Sequence, residues 1–314
     1  MKLKTRLIIF FLLFILIGKN TQAQYYFYNE DYYDSPLLVE IGGSVGAMNC
    51  LSSIGGHKGY GGRLLKDLNV SSSNLSGGIY ADLLYKGLVG LRLEYTVGRV
   101  GAADSVLKAN TGGPSDTRYD RNLSFRSPIS EFAAIAEIYP TYIFRKFDAD
   151  VSLPKAAPYI MIGVGFYHFN PQALYKGQWV DLQPLHTEGE GFSEFPDRPN
   201  YKLNQMNIPM GIGVKYELSA RVNLRAEFLF RKLFTDYLDD VGGKSYIDPS
   251  IFQLHLKEPF LSEALALNYR GYEIGKDHDH NPGAPRGNIY KKKNDAYFTF
   301  GIKAGFLFGR ARVK

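Results

Sequence analysis

The sequence predicts an all-β protein: an eight-stranded antiparallel up-and-down transmembrane β-barrel with long extracellular loops. Three observations predict it. Apolar residues recur with period two in eight separate stretches, short and long connections alternate between those stretches, and the chain opens with the layout of an export signal. Strands put successive side chains on opposite faces, and membrane barrels join them by short turns on one side and longer loops on the other.

The chain has 314 residues with 33 Gly, 23 Tyr, 21 Phe, one Trp and one Cys. With 45% hydrophobic residues it has enough apolar surface to order. The lone Cys50 excludes a disulfide framework and a Cys-based zinc site.

Lys2, Lys4 and Arg6 precede an apolar run from Leu7 to Ile17, and Thr21-Gln22-Ala23 then offers small residues for cleavage after Ala23. This reads as a secretory signal peptide over 1–23, because the run is short of the roughly 20 residues a spanning helix needs. The formal charge of +6 includes Lys2, Lys4, Arg6 and Lys19, so the processed chain carries about +2. That is no footprint for nucleic acid. No later segment is a candidate spanning helix. An aromatic-acidic arm, Gln24–Pro36, is expected at the periplasmic rim, since Tyr and Phe suit membrane interfaces. The barrel domain follows over 37–314.

The expected strands lie near Leu37–Asn49, Asn74–Tyr85, Gly87–Arg99, Ile129–Phe144, Ala157–His168, Met206–Leu218, Ala220–Lys232 and Asp295–Gly309. In the third, Val89, Leu91, Leu93, Tyr95 and Val97 share a face opposite Arg92 and Glu94. In the fifth, Ile160, Ile162, Val164 and Phe166 oppose Met161, Gly163, Gly165 and Tyr167. In the seventh, Val222, Leu224, Ala226, Phe228 and Phe230 oppose Arg225 and Glu227. In the eighth, Phe298, Phe300, Ile302, Ala304, Phe306 and Phe308 oppose Tyr297, Thr299, Gly301, Lys303 and Gly305. A soluble sandwich shares the alternation, but the uncharged faces and the alternation of connection lengths favour a barrel in lipid. The short connections lie around Lys86-Gly87, Arg145–Ala156 and Leu218-Ser219-Ala220. The long ones are Cys50–Ser73, Val100–Pro128, Phe169–Gln205 and Leu233–Asn294.

Eight strands enclose a space just wide enough for side chains to fill. The inward faces carry Glu40, Asp82, Glu94, Glu131, Glu137, Glu217 and Glu227 against Arg92, Lys215, Arg225 and Lys303, with Arg221 and Arg231 nearer the ends. Unpaired buried charges are costly, so a closed, charge-paired plug is expected rather than a pore.

No catalytic constellation is legible: His168 lies on the lipid-facing parity, and His57, His186 and His255 lie in loops with no readable partner. No enzymatic activity and no cofactor are expected. Asp277-His278-Asp279-His280 can present two imidazoles and two carboxylates to a metal. Such a run before Asn281-Pro282 is expected to be a solvated loop tip instead. The acids Asp236, Asp239, Asp240 and Asp248 lack the spacing of a helix–loop–helix calcium loop.

Phe234-Thr235-Asp236-Tyr237-Leu238-Asp239-Asp240-Val241, followed by Tyr246-Ile247-Asp248-Pro249, is distinctive. Later, Arg286-Gly287-Asn288 precedes Lys293-Asn294-Asp295-Ala296-Tyr297-Phe298. From about residue 205 onward this ordering resembles the PorG-like outer-membrane β-barrel family of Bacteroidetes, and Gly242 stands where that family commonly has Ser. The resemblance implies an outer-membrane component of type IX secretion machinery, with Thr235, Asp236, Tyr237, Asp239, Asp240 and Asp248 as its motif loop. It further implies a periplasmic ring lipoprotein and that lipoprotein's partner as neighbours, beside outer-membrane lipid. A surface adhesion or ligand-binding barrel acting through its long loops is the alternative, and a small-solute channel the third class.

Overall fold

The computed structural model describes residues 32–55, 72–107, 114–141, 155–276, 282–287 and 294–312. Eight long antiparallel strands close into a barrel: β1 (Tyr32–Leu51), β2 (Asn74–Tyr85), β3 (Val89–Ala103), β4 (Ser124–Ile138), β5 (Ala156–Phe169), β8 (Asn204–Ser219), β9 (Val222–Leu233) and β10 (Ala296–Arg312). Each pairs with its sequence neighbour in the wall. β1 with β10 and β3 with β4 complete the circle, so no wall edge is left open. β6 (Gln172–Tyr175) and β7 (Gln178–Asp181) form a hairpin that joins the wall at one pair, Arg126 with Gln172.

The tight turn after β2 shows why its sequence is Lys86-Gly87. Both residues adopt positive φ, 51° and 70°, and the Leu88 amide donates to the Tyr85 carbonyl at 3.0 Å. That is the mirror-image turn whose twist matches a hairpin, and glycine enters it without steric cost.

Several bounds differ from the sequence expectation. β1 begins at Tyr32, so the end of the expected arm is strand. β4 runs over Ser124–Ile138 instead of reaching Phe144. The next residues are Tyr139 and Pro140, and proline has no amide to give to a ladder. Arg221, expected near the lumen, is exposed in the turn between β8 and β9, where the pairing is irregular between Glu217 and Ser219.

The two faces of the wall separate as the alternation requires. Leu91, Tyr95, Ile162, Ile212, Phe300 and Ile302 are each between 45% and 63% exposed on the outside. Phe298 departs from this pattern at 8% exposure, tilted against Phe228 at 5.7 Å between ring centres.

At the long-loop end the connections fold, where the sequence offered only loops. The β6–β7 hairpin, α1 (Pro114–Arg121), α2 (Pro249–His255) and α3 (Phe260–Asn268) belong to this cap. Its small core joins Ala173, Leu182, Leu185, Phe192, Phe252 and Leu267. A second cluster joins Met48, Phe125 and Phe169 of the wall strands to Leu238 and Val241 of the β9–β10 connection.

Candidate functional site

The lumen is a charge network built from opposite walls. In register, Lys303 of β10, Arg225 of β9 and Lys215 of β8 lie side by side, and Glu40 of β1 lies beside Asp82 of β2. Like charges in neighbouring strands repel, so Arg225 takes its partners from strands that are not its neighbours, while Arg92 and Lys303 also pair within or beside their own strands. Arg225 reaches Glu40 at 2.8 Å, Asp82 at 2.6 Å and Glu137 at 2.8 Å. Arg92 reaches Glu137 at 2.9 Å, Glu227 at 2.5 Å and Glu94 at 3.1 Å. Glu137 therefore bridges the two guanidiniums. Lys303 pairs with Glu94 and, at 3.2 Å, with Glu227. Lys215 lies over the Tyr139 ring, 4.6 Å from its centre. Nearer the cap, Arg231 pairs with Glu131 at 3.0 Å, and at the other end Glu217 meets Arg310 at 3.3 Å.

Sequence reasoning placed these ionic residues and missed the tyrosines and amides that complete their bonding. Tyr80 donates to Glu40 at 2.6 Å, Tyr139 to Glu137 at 2.6 Å, and Tyr159 to Glu227. Asn223 donates to Glu40 at 2.6 Å and Asn207 to Glu131 at 2.8 Å. Their inward parity on the strands was the available signal. Glycines make room for the rings: a Cβ at Gly305 would stand 2.4 Å from both Glu40 Oε1 and the Tyr80 hydroxyl. Arg92, Arg225, Asp82 and Glu137 are at most 1% exposed. The interior is therefore packed and ionic.

The motif loop lies in the cap, and its residues serve different purposes. Thr235 caps the turn by accepting from the Tyr237 amide at 3.1 Å. Tyr237 stacks on Tyr201 at 4.7 Å. Asp239 accepts from the amides of Ile54 at 2.7 Å and Val241 at 3.1 Å, tying β1's exit to the loop. Asp240 accepts from Thr187 at 2.5 Å and Tyr201 at 2.6 Å. Asp248 caps α2 through the Ser250 amide at 2.9 Å. Asp236 is half-buried.

The two sequence features behind the family resemblance meet here. Arg286 donates to the Asp240 carbonyl at 2.6 Å and the Asn268 carbonyl at 3.1 Å, and stands 3.7 Å from the Asp240 carboxylate and 3.6 Å from Glu188. Arg121 pairs with Asp104 at 2.7 Å and donates to the Arg286 carbonyl at 2.6 Å. Acids outnumber these cations. Burial pushes Glu188 up to about 7 against the pull of Arg286, and Asp239 up to about 6. Burial, with Asp239 and Glu188 nearby, pushes Asp236 up to about 8. Glu190 and Asp295 are held well above the carboxylate range, again chiefly by burial.

His255 and His186, read in sequence as isolated, both have partners. His255 meets Glu194 at 2.7 Å, and that carboxylate also accepts from Ser193 at 3.1 Å. It thus sits between hydroxyl and imidazole. His186 donates to the Glu190 carbonyl at 2.5 Å. His57, the Asp277–His280 run and Asn288 lie outside the described residues. Among the described residues no group of three or more His, Cys, Asp or Glu is arranged to hold a metal.

No family model and no curated protein matches this chain. Solved structures similar to it include Ail, the attachment invasion locus protein of Yersinia pestis, in complex with the heparin analogue sucrose octasulfate (10% identity, 89% of this chain and 99% of that chain, TM-score 0.35). Neisserial surface protein A is another (10% identity, 88% and 99%, TM-score 0.38). The outer membrane protein OprG from Pseudomonas aeruginosa is a third (10% identity, 89% and 96%, TM-score 0.35). The register of its own wall strands makes this chain a closed eight-stranded antiparallel β-barrel with an apolar exterior and an ionic, tyrosine-lined interior.

Proposed function

We propose that the chain is an integral outer-membrane barrel that works without catalysis, as an anchoring or assembly component of type IX secretion machinery. One observation carries the non-enzymatic part. The lumen's ionic groups are spent on one another: Arg225 alone holds Glu40, Asp82 and Glu137. A tube so filled offers neither a solute path nor a reactive group, which leaves the surfaces to meet partners. The ring of exposed Leu, Ile, Val, Phe and Tyr on the wall supports the membrane setting, because hydrocarbon tolerates that face and water does not.

The secretion role rests on the family resemblance. It is supported by the meeting of Arg286 with Asp240, which gives both resembling segments one structural purpose. The partners would be a periplasmic ring lipoprotein and its own partner, engaged at the short-turn end. Cross-linking in native outer membrane, followed by affinity purification, tests this: periplasmic ring proteins are expected, and their absence with the barrel intact ends the secretion reading.

A second reading has an observation in its favour. The outer segments fold around their own apolar core, with Phe252 at 1% and Leu185 at 0% exposure. A built cap suits a surface that binds a ligand or adheres. Deleting the β6–β7 hairpin would abolish such binding and leave secretion unaffected.

A further inference from the structure

On the outer wall, the apolar belt ends in two cations. The eleven residues from Val89 to Arg99 rise roughly 25 Å along a tilted strand, the height of belt that a barrel shows to hydrocarbon. Val89, Leu91, Leu93, Tyr95 and Val97 are all 44–51% exposed on that face, and Arg99 is the next residue on it. On the neighbouring strand Arg126 has the same outward parity: the ladder pairs Arg99 with Pro128 and Gly101 with Arg126. Neither arginine has an ion pair among the described residues.

The β6–β7 hairpin completes the arrangement. Gln172 accepts from Arg126 Nε at 2.9 Å while its amide donates to Asp181 at 2.7 Å, so the nearest hairpin acid already has partners and the guanidinium is aimed. Asn170 also donates to Asp181, at 2.9 Å. Trp179, 42% exposed, lies over Arg126 with 3.7 Å from ring centre to guanidinium carbon. Its ladder partner Leu174 is 41% exposed beside it. Two unpaired guanidiniums, a tryptophan and a leucine at the upper edge of an apolar belt match a molecule with an anionic head and hydrocarbon below. Arginine forks suit phosphate oxygens, and tryptophan is comfortable at headgroup level.

We propose that Arg99, Arg126, Trp179 and Leu174 form a seat for the phosphate-bearing headgroup of an anionic membrane lipid, at the cap-side edge of the belt. The inference rests on the membrane-spanning reading. Trp179 is the chain's single tryptophan, so intrinsic fluorescence reports on this place alone.

The full chain is reconstituted in phosphatidylcholine vesicles. A chain that fails to insert ends the membrane-spanning reading, and insertion leaves the seat to be tested on its own. Quenching of Trp179 by phosphatidic acid brominated near the headgroup is then compared with quenching by brominated phosphatidylcholine. The expected preference for the phosphate monoester lipid is about threefold or more, falling with salt, and it drops towards unity in Arg99→Gln. Arg99→Gln leaves the Arg126–Trp179 stack in place, and Arg99→Lys keeps most of the preference. Equal quenching by the two lipids, or an unchanged preference in Arg99→Gln, overturns the seat. Displacement of phosphatidic acid by millimolar inorganic phosphate overturns the assignment to a lipid.

Discussion

The lumen and the cap solve the same problem in opposite ways. Both bury carboxylates and arginines at almost zero exposure. In the lumen the charges nearly balance, and Arg92, Arg225, Arg231 and Lys303 each hold a carboxylate within hydrogen-bond reach. In the cap Asp236, Asp239, Asp240, Asp295, Glu188 and Glu190 gather around few cations, and many of their bonds come from backbone amides. A balanced network can stay ionised in a dry place. An acid-rich one lowers its cost by keeping protons. The difference teaches that buried acids are matched by cations in one region and left in excess in the other.

The largest expected effect breaks the balanced side. Arg225→Ala leaves buried Glu40 and Asp82 without their cation and Glu137 with Arg92 alone, and removing one partner of a buried pair costs roughly 3–5 kcal/mol. Urea unfolding of the folded barrel, followed by its heat-dependent gel mobility, should show that drop. An unchanged midpoint would mean the network contributes little.

In the cap, Arg286→Ala should cost a similar or smaller amount, and locally. It frees the Asp240 and Asn268 carbonyls and the Asp240 and Glu188 carboxylates. Proteolytic cleavage of the cap should rise while the gel mobility of the barrel is kept. Loss of both together would show that cap and barrel unfold as one unit.

Overpacking probes the lumen more gently. Gly305→Ala forces a methyl to within 2.4 Å of Glu40 and Tyr80, costing about 1–3 kcal/mol. The same substitution at Gly283, where nothing lies within 4 Å but φ is 89°, serves as a backbone-strain control.

The smallest and most diagnostic effect is that of pH. Glu188, Asp239 and Asp236 are raised to about 7, 6 and 8 in the folded cap, above the ordinary values of 4.5 for Glu and 3.8 for Asp. The folded state then binds more protons than the unfolded one between those limits, so cap stability is greatest at the acid end and falls as pH rises towards about 8. Amide protection of Leu238 and Gly242, corrected for intrinsic exchange, should fall across that window. A rise would refute the sign.

Much of this was legible in one dimension. Residues such as Leu91 and Arg92 declared their faces by alternation, and Lys86-Gly87 declared its turn by residue type. Strand ends were less legible: β4 stops before Tyr139-Pro140, whereas apolar residues continue to Phe144. The motif loop was visible as an unusual string, but its meeting with Arg286 was not, because 46 residues separate Asp240 from Arg286. The folded cap was also missed, since its helices are as short as the 7 residues of α2 and its apolar residues are divided between two connections far apart in sequence.

The sequence by itself determined which face of each strand meets water-free surroundings, because a period of two is a property of the extended chain. It also determined the inventory of inward charges. Only the tertiary structure decided how those charges pair. Along the ladder Lys303, Arg225 and Lys215 adjoin one another, and Glu40 adjoins Asp82. Rolling the sheet shut brings the cationic wall within 3 Å of the acidic one, across sequence separations of 88 to 185 residues that no local pattern encodes.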